Sequence, residues 1–222
     1  METHNKNPTN LDLYFRLGIK NPCEEPQILS IIANILEKNI QKNEKMLKKS
    51  RKKEKVTIFH GTKAPTLNIR EYMSRVFKYS KCSASCLVVA YIYMDLFIQQ
   101  TSCYVTSLDV HRIFVTCLLL GVKFLEDECF NNSYFAKIGG VSCAEMNKLE
   151  LKLLSTLNYR LHVTLETFDQ YCVHLEEEGA TCPCPSSRLR WSVQPCGLTR
   201  SWLKKDRPRH DTKCDAYPCT CI

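Results

Sequence analysis

Glu150 lies where a carboxylate has no local reason to be. On a helical wheel drawn from Ser142 to Asn158, Met146, Leu149, Leu153, Leu154 and Leu157 gather on one side, and Glu150 falls among them. Turning an ionised carboxylate toward a core is costly unless it is paired or serves a partner. Asp95 repeats the pattern, set between Val88, Tyr91, Ile92 and Ile98 on the apolar face of a helix predicted from Ser83 to Gln100. Lys123 closes the uncharged run Cys117 to Val122, just ahead of Phe124 and Leu125. Such charges can pair with one another or hold hydrogen-bonding groups of another molecule. For Asp95 the internal option has a candidate, because Arg70 stands at the edge of the apolar face of the preceding helix, and a structural Arg70–Asp95 ion pair is expected. For Glu150 the expected companion is Lys123, on a neighbouring helix at the rim of a groove. On its own helix Lys123 points with Arg112 and Thr116, off the centre of the Val110, Phe114, Cys117, Gly121 stripe.

Catalytic chemistry finds little footing. The sequence has no glycine-rich phosphate loop, no H-E-x-x-H and no nucleophile elbow. His111, His162 and His174 have no acidic or cysteine partner at ligand spacing and read as surface or capping residues, so neither a metal nor a cofactor is implied, and the chain does not read as an enzyme. Of the fourteen cysteines, Cys23, Cys82, Cys86, Cys103, Cys117, Cys129, Cys143 and Cys172 are scattered singly through helical patterns and short connections. They read as reduced thiols acting as small hydrophobes. The tail has the pairs Cys182/Cys184 and Cys219/Cys221, which lack the C-x-x-C spacing of structural zinc sites.

The elements that must position the three charges are helices. Seven glycines in 222 residues argue against a loop-rich β architecture. Residues 1–25 read as a loose leader with an amphipathic turn at Leu11 to Leu17. Residues 26–55 form a leading helix and a basic linker. The helix starts at Pro26, carries the stripe Ile28, Leu29, Ile31, Ile32, Ile35, Leu36, Ile40, and ends near Met46. In residues 56–179 the cap Asn68/Glu71 opens one helix and Ser83 the next, while Ser107 or Leu108 opens a third reaching about Leu125. A short piece at Asn132 to Lys137 stops at Gly139-Gly140, Ser142/Glu145 form a capping box, and Thr164 caps a last helix ending around Gly179. The fold class is all-α, with five major helices. Residues 180–222, rich in Cys, Pro and Arg, read as a disordered tail.

Charge is uneven. Lys42 to Lys55 holds eight Lys or Arg against two acids, and the tail after Gly179 eight against three, so within a total of +8 the rest is net acidic. The helical domain is not a basic nucleic-acid module. The polar N-terminus does not read as a secretory signal, and the longest apolar run, Ile113 to Leu125, is roughly half a membrane span. A soluble intracellular protein of the nucleus or cytoplasm is expected, with no membrane and no small-molecule substrate among its partners.

The segment Gly61 to Leu175 resembles the cyclin box, and specifically that of the small single-box P-type (U-type) cyclins of plants. The phrases that carry the resemblance are Thr57-Ile58-Phe59-His60-Gly61-Thr62-Lys63-Ala64-Pro65, Arg75-Val76-Phe77-Lys78-Tyr79-Ser80, Asp109 through Cys117, Gly139-Gly140-Val141-Ser142 and Phe168-Asp169-Gln170-Tyr171-Cys172. The leading helix, with Gln41-Lys42-Asn43-Glu44-Lys45, extends it to roughly residues 26 to 178. The resemblance implies a five-helix box whose marker charges are Arg70, Asp95, Lys123 and Glu150. Arg70 and Asp95 would pair inside the box. Lys123 and Glu150 would bind backbone groups of a cyclin-dependent kinase near its PSTAIRE-type αC helix, and Phe124 would pack against that helix. The expected function is a regulatory subunit that activates such a kinase, linked to cell-cycle or nutrient control of division. A helical nucleic-acid-binding or transcription-factor-like module of the same fold is the alternative. Lys48 to Lys55 would be its contact, and nucleic acid is disfavoured because no aromatics interleave that run. The substrate-docking groove of mitotic cyclins maps to Ile69, Met73 and Val76, which lack its tryptophan.

Overall fold

The computed structural model describes residues 10–19, 25–50, 56–63, 65–128 and 130–180, and among these every regular element is a helix. The helices are α1 (Asn10–Arg16), α2 (Gln27–Ser50), α3 (Ile69–Ser80), α4 (Ala84–Thr101), α5 (Val110–Leu125), α6 (Asn132–Gly139), α7 (Cys143–Thr156) and α8 (Leu165–Ala180). The cysteine pairs of the tail, Cys23, Cys129 and residues 51–55 of the basic linker lie outside the described residues.

Hydrophobicity decides which helix goes inside. α5 is buried from Val110 to Val122 apart from Arg112, and α4 is buried around nearly its whole circumference. A helix that is apolar all round must be enclosed, and α5 is packed by α3, α4, α6 and α7. Gly121 lets α4 and α5 approach closely, since a Cβ there would meet the Cys86 carbonyl oxygen at 3.3 Å. α2 lays its stripe, Ile28, Leu29, Ile32 and Leu36, against α3, α4 and α8. The buried Asn43 of α2 donates to the Val105 carbonyl at 2.9 Å, and Glu44 accepts from the Ser107 amide at 3.1 Å, which ties α2 to the connection before α5. α1 rests on α8 through the Tyr14–Asp169 hydrogen bond and the Arg16–Glu176 ion pair.

The capping signals hold with some changes. The Asn68 side chain accepts from the Glu71 amide at 2.8 Å, Ser142 from Glu145 at 3.1 Å, and Thr164 from Thr167 at 3.2 Å. The Ser142/Glu145 motif is not reciprocal, because the Glu145 carboxylate is taken by Arg112 at 2.8 Å. Ser83 is the N-cap of α4 but makes no side-chain cap bond. α5 begins at Val110, later than Ser107 or Leu108, because residues 107–109 form a turn in which the Thr106 carbonyl accepts from Asp109 and Val110. α2 runs past Met46 to Ser50. Its lysines are good helix formers, and Lys48 and Lys49 sit in the last turn, where cations suit the negative helix end.

Four of the cysteines behave as expected of small hydrophobes: Cys82, Cys86, Cys117 and Cys172 are buried and free. Cys143 departs from that reading. It is the first residue of α7 and is exposed, since the apolar face of α7 begins only at Met146. His111 departs as well: it is neither surface nor capping but 8% exposed, with Nε2 on the Leu67 carbonyl at 3.0 Å, and burial pushes its pKa down, which favours the neutral ring. No described helix is long and apolar enough to cross a membrane.

Candidate functional site: an ion pair at the end of α5

The core stripe of α5 ends at Val122, and the three residues that follow come out into solvent. Phe124 and Leu125 are exposed at 46% and 44%, two neighbouring large apolar side chains left bare at the helix end. Lys123, in the same last turn, suits the negative end of the helix. The next residue, Glu126, fixes this terminus to the start of α4. Its carboxylate accepts from the Ser83 amide at 3.0 Å and from the Cys86 thiol at 3.3 Å, and the Ser83 bond above all holds its pKa below the ordinary carboxylate range.

Glu150, on α7, is the carboxylate that faces this turn. Lys123 Nζ lies 2.6 Å from Glu150 Oε1, and Asn132 Nδ2 donates to Glu150 Oε2 at 2.6 Å. The Glu150 side chain keeps 13% of its surface and that of Lys123 34%. The expected companionship of Lys123 and Glu150 is therefore formed, and the carboxylate is matched on both oxygens. Asn132 was not legible in the sequence. It is the first residue of α6, and only the tandem Asn131-Asn132 at a helix start marks it.

The expected Arg70–Asp95 pair is not formed. Arg70 Nη2 donates to Ser30 Oγ at 3.0 Å, on the flank of α3 that meets α2. Asp95 faces α8, where its Oδ2 accepts from the Tyr171 hydroxyl at 2.6 Å and, within α4, from Gln99 Nε2 at 2.9 Å. Two neutral donors thus meet the carboxylate where a guanidinium was expected, and His174 lies near enough to favour its charged form. Desolvation raises its pKa, opposed by those two hydrogen bonds. Of the groove positions, Ile69 is 4% exposed and Met73 and Val76 are fully buried, so all three serve the core.

The sequence model of the cyclin family matches residues 27–161. The chain belongs to the cyclin family. It is 46% identical to Cyclin-P3-1 of Oryza sativa subsp. japonica over 177 residues, covering 80% of this chain and 75% of the relative. To Cyclin-U1-1 of Arabidopsis thaliana it is 43% identical over 155 residues, 69% of this chain and 74% of the relative. To Cyclin-U3-1 of Arabidopsis thaliana it is 36% identical over 204 residues, 89% and 90% of the two chains. This is the plant P/U-type branch of the family. In this cyclin the matched stretch runs from the start of α2 to just past α7, so it contains Lys123, Phe124, Asn132 and Glu150 and stops short of α8.

Proposed function

We propose that this cyclin is a regulatory subunit that binds and activates a cyclin-dependent serine/threonine kinase, with Lys123, Phe124 and Glu150 at the centre of the contact. The observation that carries the reading is the meeting of Lys123 and Glu150, 27 residues apart in the chain, at 2.6 Å beside the exposed Phe124 and Leu125. A charged pair with both a donor and an acceptor, next to bare apolar surface, suits a helix end or a turn whose backbone groups need partners. The kinase element of that chemistry is the αC helix, of PSTAIRE type. The cyclin does no chemistry itself. It binds the state in which αC is rotated inward, so that the kinase's own Glu pairs with its β3 Lys and ATP is aligned for transfer. Control of division by the cell cycle or by nutrient signals is the physiological setting this mechanism serves.

Truncating one member of a desolvated charged contact typically weakens association by about 2–5 kcal/mol, roughly thirty-fold to several-thousand-fold. The test is co-purification and a histone-kinase assay of the full chain with a PSTAIRE-type kinase, beside Lys123→Ala and Glu150→Ala. Activation by the parent chain and its loss in both variants, with circular dichroism unchanged, is the expected result. A folded parent chain that binds no such kinase, or variants that activate as well as it does, would overturn the assignment.

A further inference from the structure

Glu150 is held by more than its cation. Asn132 Nδ2 spends both of its hydrogens on α7, one on Glu150 Oε2 at 2.6 Å and one on Asn147 Oδ1 at 2.8 Å, residues one helical turn apart on the same face. This fixes the orientation of the amide. Turned over, Asn132 would aim its oxygen at two acceptors. The oxygen therefore points the other way, and Asn132 Oδ1 is buried without a hydrogen-bond partner among the described residues. A buried unpaired acceptor destabilises a fold and calls for a reason.

Asn132 is held on a braced helix start, and Lys123 reaches in from a longer and more exposed side chain. α6 is capped by the Asn131 side chain, which accepts from the Tyr134 amide at 3.0 Å. Its Phe135 is fully buried, and the Tyr134 hydroxyl donates to the Tyr79 carbonyl at 2.8 Å. Lys123 reaches Glu150 on a four-carbon stem with several rotatable bonds, and its side chain is 34% exposed. The two oxygens of Glu150 are thus held unequally, Oε2 by a fixed amide and Oε1 by a movable ammonium.

The geometry points to Asn132 as the positioning residue of the partner-binding carboxylate: it holds Oε2 in place while Lys123 leaves Oε1, and both Oε1 and the ammonium turn to the partner's backbone. This rests on the docking role proposed above. Pre-setting the Glu150 rotamer in the free chain reduces what must be ordered on binding.

A double-mutant cycle on the full chain tests it, with Asn132→Ala, Glu150→Ala and the double variant titrated calorimetrically against a PSTAIRE-type kinase. Asn132→Ala alone should weaken binding on the order of tenfold, and in the Glu150→Ala background it should weaken it no further. An equal loss in both backgrounds would mean that Asn132 serves α6–α7 packing, and the proposal falls. A second readout needs no kinase: side-chain scalar couplings of Glu150 should report one rotamer in the parent chain and averaging in Asn132→Ala. If Glu150 stays fixed in the variant, positioning is refuted whatever the kinase does. If it averages while neither Glu150→Ala nor Asn132→Ala alters binding, the docking reading fails and the positioning geometry stands.

Discussion

Replacing Tyr171 with Phe removes one oxygen from the α4–α8 contact and leaves the ring's packing in place. The hydroxyl lies 2.6 Å from Asp95 Oδ2, and Tyr171 is 2% exposed, so no water can readily take its place. A hydrogen bond to an ionised group contributes about 2 kcal/mol, and one to a neutral group about 1 kcal/mol. Burial raises the Asp95 carboxyl above its ordinary value of 3.8. A raised carboxyl keeps its proton to a higher pH in the fold than in the unfolded chain, so between those two values stability falls as pH rises. The Tyr171 and Gln99 bonds, and after them the nearby His174, oppose the shift. Removing the hydroxyl lifts the carboxyl further, so the variant should lose most above the folded value, where the parent chain holds Asp95 ionised. Thermal melts on the alkaline side of that folded value should show a loss of about 2 kcal/mol, or roughly 4–8 °C for a domain of this size. In acid, with Asp95 protonated in both proteins, the loss should shrink to about 1 kcal/mol. In an Asp95→Asn background the pH dependence of the difference should vanish. A loss that is the same at both pH values, or that is unchanged in that background, would refute the reasoning.

Arg70→Ala should cost little, within about 0.5 kcal/mol by urea denaturation, because its guanidinium reaches only an exposed serine hydroxyl on α2. A loss of several kcal/mol would restore the ion pair expected from the sequence. Gly121→Ala should destabilise the chain by about 1–3 kcal/mol in the same assay, since the new methyl would meet the Cys86 carbonyl oxygen at 3.3 Å and the α4 backbone would have to give by a few tenths of an ångström. An unchanged denaturation midpoint would mean that the α4–α5 interface is looser than its geometry.

The helices were legible because their signals are local and redundant. Asn68, Ser142 and Thr164 each cap within three residues of themselves, and the long apolar run of α5 agrees with its buried place in the fold. Glu150 is legible for the opposite reason, because it breaks the apolar stripe around it, whereas Lys123 lies off the centre of its own stripe and stands out only as the charge that closes an uncharged run. What escaped depends on how helices are turned toward one another. Asp95 stands out as anomalous, yet Arg70 is the partner the sequence offers it, because a sequence reports that a carboxylate is buried and not which neighbour it faces. Its true partner, Tyr171, sits 76 residues away on α8, where a tyrosine on an apolar face looks like core. Asn132 stands at a helix start, where an asparagine needs no explanation, and its role exists only because the start of α6 is folded against the middle of α7.

The self-pairing of Lys123 and Glu150 bears on which partners the face can accept. A surface that covered Phe124 and Leu125 with apolar groups alone would also strip water from the adjoining pair, and removing two charges from water is costly even when they touch. A partner that offers Lys123 an acceptor and Glu150 a donor avoids that penalty, because each charge exchanges one hydrogen bond for another. Adhesive apolar surface and demanding polar groups side by side therefore discriminate by what they reject. In the docking mode proposed above, the bare phenylalanine and leucine would supply area, and the pair would restrict that area to a partner with free backbone groups at the right place. The free chain keeps both charges satisfied on each other and on Asn132, so the proposed docking would not require an unpaired buried charge in the free chain.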